Sequence, residues 1–156
     1  MAARAPAGVD LSAITDQIYV GRRPQPNDVE ELRRLAPALV VSMLGGTPPA
    51  SVRALDVPVL SLATHDNLLL PIPIRSLEQG VTAALPIVQN GGRVLVYCRQ
   101  GRHRSIALTV CLLIALGWSA EDAADLVRAK RAQADPRAWH IWRRIRAFER
   151  SWRAGG

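Results

Sequence analysis

Cysteine is scarce in this chain, and its scarcity excludes two common ways of holding a small protein together. Of 156 residues only Cys98 and Cys111 carry thiols, too few for a disulfide framework or for a zinc site made of cysteines alone. Two unpaired thiols are typical of a reducing compartment, so we expect a cytoplasmic location. The residue pattern predicts no metal ion and no organic cofactor.

Long apolar runs are also lacking. The longest, residues 106–116 (IALTVCLLIAL), is too short to span a bilayer. The first ten residues, MAARAPAGVD, hold no apolar stretch of signal-peptide length. Aromatic residues are few, with one phenylalanine and two tyrosines, so we do not expect the aromatic platform of an RNA-binding protein.

Positive charge, by contrast, is plentiful and comes almost entirely from arginine. The formal net charge is +7, and of 20 basic residues only Lys130 is a lysine. Such a balance favours anionic partners, namely phosphorylated substrates, nucleic acid or an acidic membrane surface. With 49% hydrophobic residues the chain can still form a substantial core, and its length is typical of one domain.

The order of apolar runs predicts one α/β domain in residues 14–156, preceded by a loose arm in residues 1–13. Strand-like runs occupy residues 17–21, 38–44, 56–62 and 93–97, and helical patterns cover residues 26–35, 73–89, 104–117, 120–130 and 136–152. Runs that are apolar on both faces and alternate with helices indicate a central, mostly parallel sheet of four to five strands, flanked by helices.

The most informative stretch is VYCRQGRHRS, residues 96–105, which follows the last predicted strand and opens a helix. In such a loop the backbone N–H groups converge on one point, and the helix N-terminus adds partial positive charge, so together they trap an anion. Arg104 can bind phosphate oxygens through two parallel hydrogen bonds. The same field favours the thiolate of Cys98, which predicts a nucleophile aimed at a bound phosphate.

Cys98, five intervening residues, Arg104 and Ser105 resemble the signature loop of the cysteine-dependent protein tyrosine phosphatase superfamily. QIYVG, GGRVLVYCRQGRHRS and GWSAEDAADLVRAKR are similar in layout to its small dual-specificity branch, so the resemblance spans residues 14–131. It implies a phosphatase loop between the last core strand and a helix. It also implies a phosphatase in which Cys98 forms a phosphocysteine, Arg104 binds phosphate and Ser105 assists the departing thiolate.

Expulsion of an alkoxide or phenoxide needs a proton donor, and hydrolysis of a phosphoenzyme needs a base. Asp66 lies in the loop after a predicted strand and resembles the family's general acid in its position. His65 is a rival donor, and a local turn with Asn67 is the alternative role for Asp66. The family usually has histidine before the nucleophile, where this chain has Tyr97, so the degree of activation of Cys98 stays open.

The loop carries more cations than one phosphate requires. The predicted phosphate-binding residues are Arg99, Gln100, Gly101, Arg102, His103 and Arg104. The surplus suits a polyphosphorylated small molecule or a lipid headgroup, and in this respect the loop is similar to family members acting on inositol polyphosphates and phosphoinositides. A phosphorylated protein is the equal alternative, because some of these side chains can instead point inward and brace the loop.

Two further features each have a structural and a functional interpretation. Cys111 is expected to be a buried core cysteine, and the alternative is a protective disulfide with Cys98. The last helix repeats large apolar residues at three- and four-residue steps with arginines between them: Trp139, Trp142, Ile145, Phe148 and Trp152. We expect this helix to pack on the core with a solvated basic face, and contact with anionic lipid is the alternative.

Two other functions remain open at the level of sequence. A rhodanese-type sulfurtransferase also places a cysteine in an anion-binding loop, but it would leave Asp66 without a role. A catalytically silent phosphate-binding or RNA-binding module would account for the charge. It would not account for Cys98, Arg104, Ser105 and Asp66 occurring together.

Overall fold

A central sheet with helices on both faces forms the framework of the protein. The computed structural model describes residues 9–155. In chain order the elements are β1 (Leu11–Ala13), β2 (Ile18–Arg22), α1 (Val29–Leu35), β3 (Leu39–Ser42), α2 (Ala50–Arg53), β4 (Val59–Ser61), α3 (Ile74–Gln89), β5 (Val94–Cys98), α4 (Arg104–Ala115), α5 (Ala120–Lys130) and α6 (Trp139–Ala154).

The strand order is β1-β2-β5-β3-β4. β5 pairs in parallel with β2 and β3, β3 pairs in parallel with β4, and only β1 runs antiparallel to its neighbour. The predicted mostly parallel sheet of four to five strands is therefore confirmed. Because β5 is the central strand, Cys98 lies at the carboxyl end of the middle of the sheet, where α/β proteins commonly bind ligands.

The predicted arm of residues 1–13 needs a correction at its end. Most of it lies outside the described residues, but its last three residues form β1 and pair with β2 rather than remaining loose. The sequence offers little sign of this strand, because a three-residue edge strand shows no clear alternation.

Both faces of β5 are buried, which explains its unbroken apolar sequence. Val94, Val96 and Cys98 belong to the larger core, together with residues of α3, α4 and α6. Leu95 and Tyr97 face the other way and pack in a smaller core with α1 and α2. Adjacent residues of one strand thus serve two separate cores.

Helix α4 runs through the larger core and is buried from Arg104 to Ile114. It packs against α3, α5, α6 and the sheet, so its N-terminus is held in place behind the loop that follows β5. The prediction of a buried Cys111 is confirmed, and both cysteines are free thiols. Burial raises the pKa of the Cys111 thiol well above its ordinary value, and the charge of Glu149 raises it further.

Three local features differ from the sequence-based prediction. A 3₁₀ turn, Pro26–Asp28, precedes α1, so the regular helix begins later than expected. Helix α2 is a single turn that the pattern did not indicate. Helix α6 begins at Trp139 rather than at residue 136. Of the helices in residues 9–155, none combines the length and the apolar character needed to cross a membrane.

Candidate active site

A cavity of about 350 Å³ opens at the carboxyl end of β5. The residues that line it are His65, Asp66, Cys98, Arg99, Gln100, Arg102, His103 and Arg104. The structure thus brings the loop of residues 98–104 and the loop after β4 to one place. With the exception of Gly101 and Ser105, which lie behind the surface, every predicted site residue borders this cavity.

Cys98 lies at the base of the cavity and is almost completely buried. Its Sγ lies 3.1 Å from Ser105 Oγ, and the Gly101 N–H donates to it at 3.2 Å. Burial raises the pKa of the thiol, but hydrogen bonds from the Ser105 hydroxyl and from the N–H groups of Ser105, Gly101 and Arg102 outweigh it and leave the pKa below its ordinary value. The site therefore favours a thiolate.

Arg104 begins α4 and is buried against the cavity. Its Nη1 donates to the Thr64 carbonyl at 2.8 Å, which fixes the guanidinium beside the thiol. Its Nε–H is buried and has no hydrogen-bond partner among the described residues. A buried donor without an acceptor is unfavourable, and an oxygen of a bound anion would satisfy it.

The shape of the loop depends on Arg131, at the end of α5, whose side chain is buried. Its Nε donates to the Gly101 carbonyl at 2.7 Å, and its Nη2 to the Gln100 carbonyl at 3.3 Å. Asp10 holds the other side of the guanidinium with two hydrogen bonds of 2.8 and 3.0 Å. Since these carbonyls point away from the cavity, the intervening N–H groups are free to face it.

Gly101 is required at its position for two reasons. Its φ of +65° lies in the left-handed region that side chains disfavour. A Cβ there would also lie 2.5 Å from Arg131 Nη2 and 2.7 Å from the Gly21 carbonyl oxygen. The glycine thus allows β2, Arg131 and the loop to approach one another closely.

Asp66 is held by two histidines. Its Oδ2 lies 2.9 Å from His103 Nδ1, and its Oδ1 lies 2.8 Å from His140 Nε2. Partial burial raises the pKa of Asp66, but the hydrogen bonds and charges of the two histidines outweigh it, so the pKa lies below its ordinary value. The local turn that the sequence suggested belongs to Asn67 alone, whose Oδ1 accepts the N–H groups of Leu69 and Leu70.

The remaining predicted residues fall into two groups, those exposed to the cavity and one that contacts Asp66. Arg99 and Arg102 are exposed at the cavity, and the side chain of Arg102 lies 3.8 Å from that of Asp135. His103 instead faces Asp66, and its Nε2 lies 3.6 Å from Asp135. His65 lines the cavity. Arg99 and Arg102 are thus available to a ligand, whereas His103 is engaged with the carboxylate.

Tyr97 does not contact the site, although it precedes Cys98 in the chain. Its side chain is buried in the smaller core. Burial raises the pKa of its hydroxyl, and a hydrogen bond with Ser42 and the charge of Arg23 partly offset that increase. The side chain of the residue before Cys98 therefore packs on the opposite face of the sheet.

Sequence reasoning missed His140, Arg131 and Thr64. The chain has three histidines: His65 and His103 line the cavity, and His140 contacts Asp66. In a chain with so few histidines, each one is a candidate site residue, and this was the one sequence signal by which His140 could have been found. The donor atoms of Asp66, His103 and His140 lie within 4.8 Å of one another, close enough to hold a metal ion. Each histidine is hydrogen-bonded to a different oxygen of Asp66, and the two imidazole rings are in edge contact.

Comparisons of sequence and of structure both find similarity to dual specificity phosphatases. No protein-family model matches the chain. It is 28% identical to dual specificity phosphatase 28 of Homo sapiens over 97% of this chain and 85% of that protein. A crystal structure of a mouse dual specificity phosphatase complexed with zinc tungstate is similar with a TM-score of 0.78 and 26% identity, covering 99% of this chain and 93% of that one. PTPMT1 in complex with PI(5)P shares the fold, with a TM-score of 0.80, 22% identity and coverage of 92% and 97%.

Arg131→Met should disorder the loop, because the carbonyls of Gln100 and Gly101 lose their donor and Asp10 loses its partner. Leaving a buried polar group without its hydrogen-bond partner costs about 1–3 kcal/mol of unfolding free energy. Thermal unfolding and calorimetric binding of inorganic phosphate measure the two effects. Arg128→Met, on the exposed face of the same helix, is the matched control and should change neither. Normal phosphate binding by a folded Arg131→Met protein would contradict this role.

Proposed function

The chain belongs to the small dual-specificity branch of the cysteine-dependent protein tyrosine phosphatase superfamily, and on that premise we propose that it hydrolyses phosphate monoesters with Cys98 as the nucleophile. It is a cysteine-dependent phosphatase, and the roles of individual residues are our proposal. The observation that carries them is the thiol of Cys98, which accepts hydrogen bonds at the floor of a cavity bordered by Arg104 and Asp66.

In the first step the N–H groups of the loop and the guanidinium of Arg104 bind the three non-bridging phosphate oxygens. The Cys98 thiolate attacks phosphorus, so that an S–P bond forms as the bond to the ester oxygen breaks. Two observations support this role for Arg104: the Thr64 carbonyl accepts from one end of its guanidinium, and its buried Nε–H has no acceptor among residues 9–155. Fixed donors of this kind stabilise the charge that develops on the phosphoryl oxygens.

Asp66 supplies the proton that the leaving oxygen needs. With its pKa lowered by the two histidines, Asp66 is ionised in the empty site at neutral pH. A bound phosphate dianion disfavours a second negative charge nearby and raises the pKa of the carboxyl group, which promotes its protonation as substrate binds. His103 and His140 fix the direction of the carboxyl group through both of its oxygens.

In the second step a water molecule attacks the phosphocysteine and Asp66 takes its proton, which reverses the role of the carboxyl group. The S–P bond breaks and the thiolate departs. Ser105 Oγ, at 3.1 Å from the sulfur, stabilises the negative charge that returns to it. Inorganic phosphate then leaves the cavity, and Cys98 is again a thiolate.

The exposed cations favour a substrate with more than one phosphate. Arg99 and Arg102 border a cavity whose volume of about 350 Å³ exceeds that of a single phosphate group. Because His103 is hydrogen-bonded to Asp66, we assign it to positioning that carboxyl group rather than to binding phosphate. The proposed substrate class is thus a polyphosphorylated small molecule or lipid headgroup, with phosphoproteins as the alternative, and the proposed location is the cytoplasm.

Cys98→Ser should abolish turnover of para-nitrophenyl phosphate while binding of inorganic phosphate and the melting temperature stay close to those of the unchanged protein. The hydroxyl retains the size of the side chain but is a far weaker nucleophile. Failure of the unchanged protein to hydrolyse any monoester would favour the silent module. Transfer of sulfur from thiosulfate to cyanide would favour the sulfurtransferase.

His140→Ala should shift the alkaline limb of the pH profile for an alkyl phosphate to higher pH. The rate falls as the pH rises through the pKa of Asp66, and loss of a hydrogen bond and a positive charge raises that pKa. The measurement is kcat/KM against pH. Asp66→Asn should remove the limb and lower turnover by roughly 10²- to 10⁴-fold. His65→Ala is the matched control, and an unmoved limb in folded His140→Ala would reject the assignment.

Arg99→Ala and Arg102→Ala should weaken turnover of an inositol polyphosphate selectively. One charge-assisted hydrogen bond contributes roughly 1.5–3 kcal/mol, equal to about a ten- to hundredfold change in kcat/KM. Para-nitrophenyl phosphate, with its single phosphate, should change far less. Parallel losses on both substrates would instead assign the two arginines to bracing the loop, and a phosphoprotein would become the better substrate.

A further inference from the structure

The loop that carries Asp66 exposes three consecutive leucines, which we term the leucine tip. Leu68, Leu69 and Leu70 are 61%, 90% and 50% exposed. Single exposed leucines are ordinary on protein surfaces, but a contiguous apolar group at the edge of a binding cavity marks an interaction site. None of the proposed catalytic steps uses these side chains.

Hydrogen bonds on both sides of the leucine tip hold its three side chains in an exposed position. On one side Asp66 is fixed by two histidines, and Asn67 Oδ1 accepts the N–H groups of Leu69 and Leu70, both at 2.8 Å. On the other side Ile72 is only 2% exposed, and Arg144 Nε donates to its carbonyl at 2.8 Å. A loop held before and after its tip keeps the leucines outside the core.

A second exposed apolar side chain directly precedes, in sequence, a residue that contacts Asp66. Trp139 begins α6, is 63% exposed and directly precedes His140, which binds Asp66. The guanidinium of Arg143 lies 4.5 Å from the centre of its ring. The expected core packing of α6 is thus correct for Ile145 and Phe148 and wrong for Trp139, which faces solvent. Tryptophan beside arginine is typical of membrane–water interfaces.

The surroundings of the leucine tip are positively charged. Exposed or half-exposed arginines on the adjoining elements are Arg75, Arg99, Arg102, Arg143 and Arg144. Four carboxylates lie on or beside the same elements, and each has a partner. Asp66 and Asp135 lie within 4 Å of a histidine or arginine nitrogen, Glu149 pairs with Arg146 and Arg153, and Glu78 accepts from the Ser151 hydroxyl. An apolar tip with cations around it is complementary to a bilayer with anionic headgroups, where each nearby cation adds to the attraction.

We propose that the leucine tip and Trp139 insert into the interface of an anionic bilayer and so present lipid headgroup phosphates to the cavity above Cys98. The second half of this statement rests on the proposed function, whereas the docking itself does not. A bilayer fits better than a folded partner because the apolar groups protrude, with Leu69 90% exposed. Protruding side chains require a soft or concave partner, and the flanking cations select an anionic one.

Docking is measured without substrate by sedimentation of the Cys98→Ser protein with two kinds of vesicle, one of phosphatidylcholine and one of phosphatidylcholine with phosphatidylserine. The protein should sediment with the second kind and less so in high salt. Leu69→Ser on the same background should weaken vesicle affinity about tenfold or more, because one leucine no longer leaves water. Trp118→Ser removes an exposed apolar residue at the far end of α4 and is the matched control.

Three outcomes would overturn the docking proposal. They are absence of sedimentation with phosphatidylserine vesicles, equal sedimentation of Leu69→Ser, and an equal loss in Trp118→Ser. A lower specificity constant of otherwise unchanged Leu69→Ser for phosphopeptides, without vesicle binding, would assign the tip to protein substrates. A change of oligomeric state in Leu69→Ser would assign it to a second copy of the chain. Each of the last two results would assign the leucine tip to a partner other than a bilayer.

A second measurement separates docking from catalysis. With Cys98 intact, Leu69→Ser should lose turnover of a phosphoinositide in vesicles by about tenfold or more, in line with its lost affinity. It should keep turnover of para-nitrophenyl phosphate and of the free inositol phosphate. Inactivity of the unchanged protein on every monoester would reject the proposed function and leave the vesicle result intact. Equal loss on free and vesicle-bound headgroups would reject the role of the tip in substrate access.

Discussion

The buried guanidinium of Arg131 is the constraint on which the rest of the site depends. Its three nitrogens donate to Asp10, Ser12, Gln100 and Gly101, so one side chain joins β1, the phosphate loop and the end of α5. A buried charge is unfavourable unless it is paired and its donors are used, and here both conditions are met. By donating hydrogen bonds to the carbonyls of the loop, Arg131 turns the N–H groups toward the cavity, where they lower the pKa of the Cys98 thiol and can bind an anion.

A second set of contacts joins the phosphate loop to the loop that carries Asp66. Arg104 donates to the Thr64 carbonyl, and His103 is hydrogen-bonded to Asp66, so the loop that follows Cys98 and the loop that carries Asp66 are joined by two direct hydrogen bonds. Helix α6 adds a third support through His140. Asp66 is thus held by side chains from two parts of the chain, the loop of residues 98–104 and α6. Both oxygens of the Asp66 carboxylate are hydrogen-bonded to histidines. These bonds reduce the repulsion between this carboxylate and an anionic ligand in the cavity.

The sequence was sufficient for those parts of the structure that depend on neighbours in the chain. The strand that ends at Cys98, the glycine of the loop and the helix that begins at Arg104 are local patterns, and each lies where it was expected. Arg131 and His140 were missed because their roles arise from contacts with distant residues. The exposed position of Trp139 was missed for the same reason, since helical spacing places a residue on a face but does not say where the supporting core ends.

Tyr97 shows how a local departure from a family pattern can be resolved by geometry. Alternate side chains of a strand point to opposite faces, so the residue before Cys98 faces α1 and α2 whatever its identity, and Tyr97 is buried there. It cannot act on the sulfur through its side chain. The lowered pKa of Cys98 is instead accounted for by the Ser105 hydroxyl and the loop N–H groups, against the opposing effect of burial. The low pKa of Cys98 therefore depends on the shape of the loop, and Arg131 sets that shape through its hydrogen bonds to the Gln100 and Gly101 carbonyls.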